Sequence, residues 1–469
     1  MEVWQSLWEA QLGDAVVFGV RFGGHLIVEV VLAVVIVFLL FQKSYQPASR
    51  PLSEKEIDQL VEEWTPEPLH PPVTKEMTPP YPVLESAAGP TVQINGRKVI
   101  NLSTANYLGF VGDERIKESC NATLLKYGVG ACGPRGFYGT IDVHLDLETK
   151  ISSFLGTSES ILYSYGLATA ASCIPAFCKR GDIIIADDGV SWGIQNGLHL
   201  SRSTIKYFRH NDMGSLETRL KEVRKEDERK KKPLNRRFIV VEAIYQNSGK
   251  VAPLGEIVRL KEKYLFRLLV DESNSIGVLG KSGRGISEHF NIPIEKIDII
   301  TAAMGTAFAS AGGFCTGSAK VVDHQRLSGA GYCFSASLPP FLATASISAI
   351  ELLEDDPSVL ARLHNNIALF HKCLSDVSGI RIGSDTRSPV VLLHLRPSLG
   401  SFHADAAYLQ AIVDEMLEHS VLMSVQKRTA LDNCALPAGI RVCISAGHTE
   451  SDIISATAVL KKVMTSKKQ

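Results

Sequence analysis

Two segments of the chain combine residue types that could do chemistry. In VDESNS (270–275), Asp271 ends a β-rich run and is followed by small polar residues. A carboxylate at the carboxyl end of a parallel strand lies where open α/β sheets bind ligands. The second segment, MGTAFASAGGF (304–314), is a glycine-rich turn without a lysine, and the nearest lysines are Lys296 and Lys320. This turn therefore offers hydroxyls and backbone amides but no primary amine.

Four motifs follow one another in a fixed order: NYLGF (106–110), YGVGACGPRGFYGT (127–140), VDESNSIGVLGKSGRG (270–285) and FSASLPP (334–340). Any one of them is a turn that chance can produce, but the ordered set is specific. Over about residues 95 to 455 the chain resembles the α-oxoamine synthases, pyridoxal-phosphate enzymes that condense an amino acid with an acyl-CoA. The resemblance implies an α/β fold of fold-type I (aspartate aminotransferase-like), with a large parallel-sheet domain and a small C-terminal α+β domain.

The lysine motif of that family is where this chain departs furthest from it. Asp298 and Gly312-Gly313 fix the register, so Thr306 falls on the lysine and Ala303 on a threonine whose hydroxyl touches the cofactor phosphate. A hydroxyl cannot condense with the aldehyde of pyridoxal phosphate to give a stable covalent link. The resemblance thus implies that this chain has no catalytic lysine and binds no cofactor covalently.

Other cofactor positions are degenerate as well. DESNS stands where the family has DEAHS, so Asn274 replaces a histidine, and Ser191 in DDGVSWGI replaces a histidine that stacks on the ring. Asp271 matches the acid that holds the pyridinium nitrogen, and Arg441 in RVCISAGHT matches an arginine that binds the substrate carboxylate. We interpret these groups as vestigial, and His448 as structural.

Two other functions stay open at this point. An independently active acyltransferase would need another lysine, but Lys281 and Lys320 lie in loops that the motif does not place at the cofactor. A cofactor-free homodimeric scaffold would need no catalytic partner.

One subgroup of the family shares this set of absences, and its members pair with a lysine-containing paralogue. Because active sites of this fold form at a two-fold interface, an intact and a degenerate chain can build one working site. The resemblance implies that the partner carries pyridoxal phosphate and joins L-serine to palmitoyl-CoA, giving 3-ketodihydrosphingosine in the first step of sphingolipid biosynthesis. Small regulatory membrane subunits are expected too, whereas metal ions and nucleic acid are not.

The glycine-rich loop 127–140 and FSASLPP are expected to face that partner. A serine hydroxyl of FSASLPP would reach the partner's phosphate, and the Arg135 guanidinium would bind a carboxylate or phosphate unless it forms an internal ion pair. Cys132 is interpreted as a small buried residue that acts through its volume. The residues expected across the interface are Cys132, Arg135, Tyr138, Ser335 and Ser337.

Composition argues against a nucleic-acid-binding protein and against a disulfide-stabilised one. The net charge of −1 gives no bulk attraction to nucleic acid, and nine cysteines without a CxxC pair are typical of reduced thiols. The charge run KEVRKEDERKKKPLNRR (221–237) is interpreted as a solvated helix end and surface loop.

The N-terminal region predicts a membrane anchor. Residues 24–41 (GHLIVEVVLAVVIVFLLF) are long enough to cross a thin bilayer as a helix, and no small-residue site for signal-peptide cleavage follows them. Basic residues follow this run and acidic ones precede it, which predicts a single-pass protein of the endoplasmic reticulum with its large part in the cytosol. The glycosylation acceptors Asn101 and Asn121 should then stay unmodified.

Strand–helix alternation predicts a parallel sheet, with strands in ESILYSYG, GDIIIADD, RRFIVVEAIY and RLLVDESNS and a helix in LGEIVRLKEKY. We expect a helix at Ser53–Trp64, and two long helices after Pro339-Pro340. The predicted division is an N-terminal lumenal amphipathic segment (1–23), a transmembrane helix (24–41), a proline-rich connector and N-terminal arm (42–92), a large domain (93–338) and a small C-terminal domain (339–469).

Overall fold

The computed structural model describes residues 15–17, 20–22, 24–41, 52–70, 72, 81–230, 235–429 and 431–467. The chain divides into two compact units, Met1–Tyr81 and Pro82–Gln469.

The described part of the first unit contains two short strands and two helices. Strands β1 (Ala15–Val17) and β2 (Val20–Phe22) pair antiparallel, and helix α1 spans Gly24–Phe41. Helix α2 (Glu54–Glu63) is capped by Ser53. The Ser53 side chain accepts a hydrogen bond from the Glu56 amide, and the Glu56 side chain accepts one from the Ser53 amide. This confirms the helix expected at Ser53–Trp64. Of the parts of the chain that the structure describes, no helix is long and apolar enough to cross a membrane.

A seven-stranded sheet organises the second unit. Its strands are β5 (Glu159–Tyr163), β6 (Ile183–Asp187), β7 (Thr204–Phe208), β8 (Arg237–Glu242), β9 (Arg267–Asp271), β10 (Ile299–Ala303) and β11 (Gly313–Gly317). The order is β5-β11-β10-β9-β8-β6-β7, and only β11 runs antiparallel to its neighbours. Central strands such as IIIAD are buried at every position, as strands covered on both faces must be.

Helices connect and cover these strands. They are α3 (Glu114–Tyr127), α4 (Asp142–Leu155), α5 (Gly166–Phe177), α6 (Trp192–Ser201), α7 (Met213–Lys230), α8 (Leu254–Tyr264), α9 (Ile286–Phe290), α10 (Ala319–Ser328) and α11 (Ala330–Cys333). A 3₁₀ turn covers Ile294–Lys296. The strand–helix–strand order and the strand segments predicted from the sequence are confirmed, including the helix in LGEIVRLKEKY.

The C-terminal part has two long helices followed by short strands, as expected. Helices α12 (Pro340–Asp355) and α13 (Ser358–Leu374) precede β12 (Ile380–Ile382) and β13 (Val390–Leu395). Helix α14 (Phe402–Glu418), β14 (Val421–Leu422), β15 (Ser424–Val425), β16 (Gly439–Cys443) and α15 (Glu450–Ser466) complete the chain. Strands β12, β13, β16 and β15 form one sheet in that order. The boundary at 338/339 falls just before α12, and the predicted domain division stays a prediction.

A third sheet joins distant parts of the sequence. The hairpin of β3 (Thr91–Ile94) and β4 (Arg97–Asn101) continues into β14, which pairs parallel to β4. Val92, Ile94, Val99 and Leu422 form a small apolar cluster of their own beneath it.

Candidate functional site

The carboxyl edge of the large sheet is lined by acids. Asp187, Glu242 and Asp271 end the adjacent strands β6, β8 and β9, and Glu242 is directly paired with Asp271. All three side chains are buried. Parallel strands end at one edge of a sheet, so the fold brings these carboxyls together, at the place where α/β sheets bind ligands.

Asp271 lies where the sequence predicted it, at the end of β9. Its Oδ2 accepts from the Thr301 hydroxyl at 2.7 Å and its Oδ1 from the Ser273 amide at 3.0 Å. Burial raises the pKa of the Asp271 carboxyl above its ordinary value, and these two donors oppose that rise.

Glu242 connects this edge to Ser191. The Glu242 Oε1 accepts from the Ser191 amide, and Oε2 accepts from the Gln246 amide at 2.8 Å. Burial, and then the neighbouring Asp271, raise the pKa of Glu242 to about 8. Ser191 is the residue before α6, and it offers this edge a backbone amide and a small side chain in place of an aromatic ring.

The turn that holds Thr306 packs against the Asp271 segment. The Thr306 hydroxyl donates to the Ser273 carbonyl at 2.5 Å, and the Ala303 amide donates to the Ser273 hydroxyl at 2.9 Å. The first turn of α5 reaches the same place, since a Cβ on Gly166 would lie 2.8 Å from the Ala303 Cβ. Thr306 and Ala303 are therefore near Asp271, as the motif register predicted.

Asn274 and Arg441 both contact Tyr107. The Tyr107 hydroxyl donates to Asn274 Oδ1 at 2.8 Å, and the Arg441 guanidinium contacts Tyr107 and Cys443. Burial raises the pKa of Tyr107, so its hydroxyl remains a donor. The Arg441 Nε is buried and has no hydrogen-bond partner among the described residues. Tyr107 of the NYLGF motif thus connects Asn274 and Arg441, which no sequence motif links.

Two possible replacement lysines do not lie at this edge. Strand β11 runs from Gly313, opposite Ala303, to Gly317, opposite Ile299. Lys320 follows β11 and is therefore at the opposite edge of the sheet, where its side chain is exposed. Lys281 is exposed in a separate cleft of about 990 Å³ beside Leu360.

The glycine-rich loop is tied to FSASLPP through Ser337. The Ser337 amide and hydroxyl reach the Gly133 carbonyl at 2.9 and 2.8 Å, and the hydroxyl also contacts the Gly139 carbonyl. A Cβ on Gly139 would lie 1.9 Å from the Gly133 carbonyl oxygen, so only glycine fits there. The Ser335 hydroxyl donates to the Gly331 carbonyl at 2.6 Å. Both serine hydroxyls are thus used within this chain, which does not support the expected contact with a partner's phosphate.

Arg135 is also engaged internally. Its guanidinium forms a two-pronged ion pair with Glu148 at 2.8 and 3.1 Å, its Nε donates to the Thr140 hydroxyl at 3.0 Å, and both charged side chains are buried. The structure therefore favours the internal ion pair that the sequence left as the alternative, and the expected contact with a ligand or partner is not supported.

Cys132 differs from its prediction. The side chain is exposed, not buried, and its backbone adopts a φ of 60°. Tyr138 has a φ of 63° and a fully exposed ring. Residues other than glycine adopt such angles at a cost of about 1–3 kcal/mol. The argument from the volume of a buried cysteine is wrong for the single chain, because the loop is open on this side.

A buried polar network at the end of β6 was missed. Asp187 Oδ1 lies 2.8 Å from His210 Nδ1, and His210 Nε2 lies 2.7 Å from the Ser248 hydroxyl. The Tyr245 hydroxyl donates to Asp187 Oδ2 at 2.9 Å. The acid at the strand end was visible in GDIIIADD, but no sequence spacing connects Asp187 to a histidine after the next strand.

His448 has the structural role expected of it. Its Nδ1 accepts from the Ser445 amide at 3.0 Å, and its Nε2 lies 3.0 Å from the Asn101 carbonyl. Within the described residues, no group of three or more His, Cys, Asp or Glu side chains is arranged to hold a metal ion. All nine cysteines are free thiols.

Comparison with known proteins identifies the family to which this chain belongs. The family model for aminotransferase class I and II matches residues 97–460. The chain is 59% identical to long chain base biosynthesis protein 1b of Oryza sativa subsp. japonica, over 98% of this chain and 96% of that protein. It is 42% identical to serine palmitoyltransferase 1 of Dictyostelium discoideum, over 93% of both proteins.

A solved structure agrees with these relatives. Sphingomonas wittichii serine palmitoyltransferase superposes with a TM-score of 0.74 at 26% identity, over 82% of this chain and 92% of that one. The chain therefore belongs to the aminotransferase class I and II family and, within it, to the group of long chain base biosynthesis protein 1 and serine palmitoyltransferase 1.

Proposed function

We propose that this chain is the non-catalytic subunit of a serine palmitoyltransferase. It stabilises and completes a heterodimer that joins L-serine to palmitoyl-CoA, giving 3-ketodihydrosphingosine in the first step of sphingolipid biosynthesis. The observation that carries the proposal is the position of Thr306, which lies beside the Asp271 segment and uses its hydroxyl in a bond to the Ser273 carbonyl. The names of the relatives support the reaction and the pathway.

The residues at this edge do not fit covalently held pyridoxal phosphate. Such a group needs a primary amine, a protonated-nitrogen partner and phosphate-binding hydroxyls. Thr306 offers a hydroxyl that is already donated, Ala303 has none, and Ser191 has no ring to stack on the cofactor. Asp271 matches the acid that would pair with the ring nitrogen, but both of its oxygens already accept hydrogen bonds within this chain, from the Thr301 hydroxyl and the Ser273 amide. We therefore assign the cofactor to the partner subunit.

An apolar surface supports the association with a partner. Around the glycine-rich loop, Val129, Phe137 and Tyr138 are exposed, and Phe334 beside Ser335 is 86% exposed. Contiguous exposed apolar side chains of this size are typical of protein interfaces. The proposed occupant is a lysine-containing paralogue, which Cys132 and Tyr138 would approach across a two-fold axis. Small regulatory membrane subunits belong to the same proposal.

We also propose that the apolar segment 24–41 attaches the complex to the endoplasmic reticulum membrane. The support comes from the sequence of 24–41 and from the apolar side chains of residues 30–41, all of which are exposed. Basic residues after this run orient the second unit toward the cytosol.

The test is co-expression with the lysine-containing paralogue, followed by purification and measurement of L-serine condensation with palmitoyl-CoA. Asp271→Asn should retain most of the activity of the intact complex, because the working pocket is on the partner. The asparagine keeps one oxygen for the Thr301 hydroxyl, so folding is disturbed little. Activity of this chain purified alone, or its loss in an intact Asp271→Asn complex, would place the working site here. Recovery of a homodimer without the paralogue would instead support the scaffold.

A further inference from the structure

A cleft of about 990 Å³ opens between the loop that follows β9, the end of α9, helix α13 and the turn before β13. The residues that line it are separate from those at the strand edge around Asp271. Small-molecule sites are typically clefts of about 300–1,000 Å³ with apolar walls and a few polar groups. The volume of this cleft therefore suits a small ligand, and its lining decides which kind.

Helix α13 lines one side of the cleft with a largely apolar face. Leu360, Ala361 and Ile367 lie on the same side of this helix, together with His364. Leu360 and Ile367 are buried, whereas Ala361 is exposed in the cleft. Leu279, from the loop after β9, adds a further buried apolar side chain. This side of the cleft suits an aliphatic ligand.

The acids near the cleft already accept hydrogen bonds from this chain. The Glu288 carboxylate accepts from the Ser282 and Arg284 amides, both at 3.1 Å. Asp385 Oδ1 accepts from the Arg387 amide at 3.1 Å and from the Arg387 Nε at 3.4 Å. The acceptor capacity of these two carboxylates is therefore partly used within the chain.

Donors of the cleft, by contrast, are unused. In the part of the chain that the structure describes, the Lys281 amine forms no ion pair and no hydrogen bond. The side chains of Asn291 and Thr386 likewise have no hydrogen-bond partner among the described residues. An ammonium, an amide and a hydroxyl from three different segments are thus free to donate into the cleft.

Arg387 adds a positioned guanidinium. Its Nη1 donates to His289 Nε2, and its Nε donates to Asp385, which leaves Nη2 without a partner among the residues described. Burial, and then the neighbouring Arg387, lower the pKa of His289, so the ring is neutral and carries its proton on Nδ1. The unused hydrogen-bonding groups on this side of the cleft are therefore mostly donors, and two of them are cationic.

We propose that this cleft binds a phosphomonoester of an aliphatic alcohol, with the phosphate on Lys281 and Arg387 and the chain along α13. A phosphomonoester offers three acceptor oxygens and about two negative charges, so it can accept from several segments at once. A carboxylate offers two oxygens and one charge. A single-chain lipid phosphate and a soluble short-chain ester share this chemistry. The inference does not depend on the proposed function, because the cleft is separate from the strand edge.

Isothermal titration calorimetry with hexyl phosphate on the purified full-length protein tests the site. We expect saturable binding, which Lys281→Met and Arg387→Gln should each weaken about tenfold, because a hydrogen bond to a charged group is worth at least about that factor. Lys320→Met is the matched control, since Lys320 is exposed at the other edge of the sheet, and it should leave the affinity unchanged. Absence of saturable binding, or an equal effect of Lys320→Met, would overturn the proposal.

Two further probes separate the head group from the chain. Inorganic phosphate should bind at least about tenfold more weakly than hexyl phosphate, since burying two methylene groups already accounts for about that factor. Hexanoate should also bind more weakly, because it carries less charge. Ala361→Phe should reduce the advantage of hexyl phosphate over inorganic phosphate by filling the apolar side. Equal affinities of the wild-type protein for hexyl phosphate and either probe would overturn the assigned ligand class.

Hydrogen exchange locates the bound ligand. Hexyl phosphate should slow amide exchange in residues 279–291 and 357–367, and protection confined to other segments would overturn the assignment to this cleft. Tighter binding of decyl phosphate than of hexyl phosphate would support the site with a lipid as its source. Equal binding of the two esters would support it with a soluble ester.

Discussion

The Thr306 hydroxyl donates to the Ser273 carbonyl, two residues after the buried Asp271. The Ser273 hydroxyl in turn accepts from the Ala303 amide. The turn and the strand-end segment thus satisfy each other's polar groups. Because these buried polar groups already have hydrogen-bond partners, the chain loses little stability when no ligand binds there.

The first prediction concerns this turn. Thr306→Lys should not enable the purified chain to take up pyridoxal phosphate, because Ala303 and Ser191 still lack the hydroxyl and the ring. The substitution also removes the Thr306 hydroxyl that donates to the Ser273 carbonyl. Absorbance titration with pyridoxal phosphate, followed by borohydride reduction and mass measurement, checks this result. A stoichiometric adduct at position 306 would show that the lysine alone was missing.

The second prediction concerns the glycine-rich loop. Gly139→Ala places a Cβ 1.9 Å from the Gly133 carbonyl oxygen and 2.6 Å from the Ser337 hydroxyl. Overpacking of this kind costs about 1–3 kcal/mol, and it should displace Tyr138 from the partner-facing surface. We expect a lower yield of complex and lower condensation activity. Gly136→Ala is the matched control, since a Cβ there meets nothing within 4 Å. Equal activities of the two variants would contradict the assignment of this loop to the interface.

The third prediction concerns pH. Burial and Asp271 raise the pKa of Glu242 from 4.5 to about 8, so the folded chain keeps a proton that the unfolded chain releases between these values. The free energy of unfolding should therefore decrease as the pH rises through this window, by up to about 1.4 kcal/mol per unit. Below pH 4.5 the carboxyl is protonated in both states and the stabilising contribution is fully present.

Denaturant unfolding of the purified complex between about pH 7 and 8.5 measures this effect. Buried histidines such as His144 and His448, whose pKa burial lowers, are already neutral there. Glu242→Gln should flatten the pH dependence while keeping an oxygen for the Ser191 or Gln246 amide. An unchanged slope in that variant would mean that another group titrates.

The fourth prediction concerns topology. Asn101 is buried and its amide donates to the Gly89 carbonyl and the Thr104 hydroxyl, both at 2.9 Å, so it would escape glycosylation on either side of a membrane. Asn121 is exposed on α3 and is the informative acceptor. It should stay unmodified, whereas Trp4→Asn, which creates the acceptor Asn-Gln-Ser, should be glycosylated in the lumen. Glycosidase sensitivity and mass shifts check both, and the reverse pattern would invert the orientation.

The strands and the position of Asp271 were predicted correctly because apolar runs, and the polar residues that end them, are visible in the sequence itself. The motif register likewise placed Thr306 and Ala303 beside Asp271. Side-chain partners were not readable in this way. Arg135 was left between two roles because its partner, Glu148, lies on the following helix, and only the packing of loop on helix brings them to 2.8 Å.

The solvent exposure of side chains in the glycine-rich loop (127–140) was the property that the sequence predicted least well. Cys132 looked buried because it lies among glycines, yet its φ of 60° accompanies an exposed side chain. The network of Asp187 with His210 depends on the neighbouring ends of β6 and β7, which no motif marks.

The pairing of β4 with β14 has a consequence for biosynthesis. Ile100 and Asn101 pair with Val421 and Leu422, so the hairpin β3–β4 lacks its third strand until more than 300 further residues have been translated. Pairing strands that lie so far apart in sequence is slow. Until it happens, Val92 and Val99 lack the cover that Leu422 provides in the finished fold. The second unit therefore stays incomplete until β14 has been translated, and a partner that recognises the finished surface can bind only after that. Truncation before residue 421 should leave this hairpin as an aggregation-prone edge.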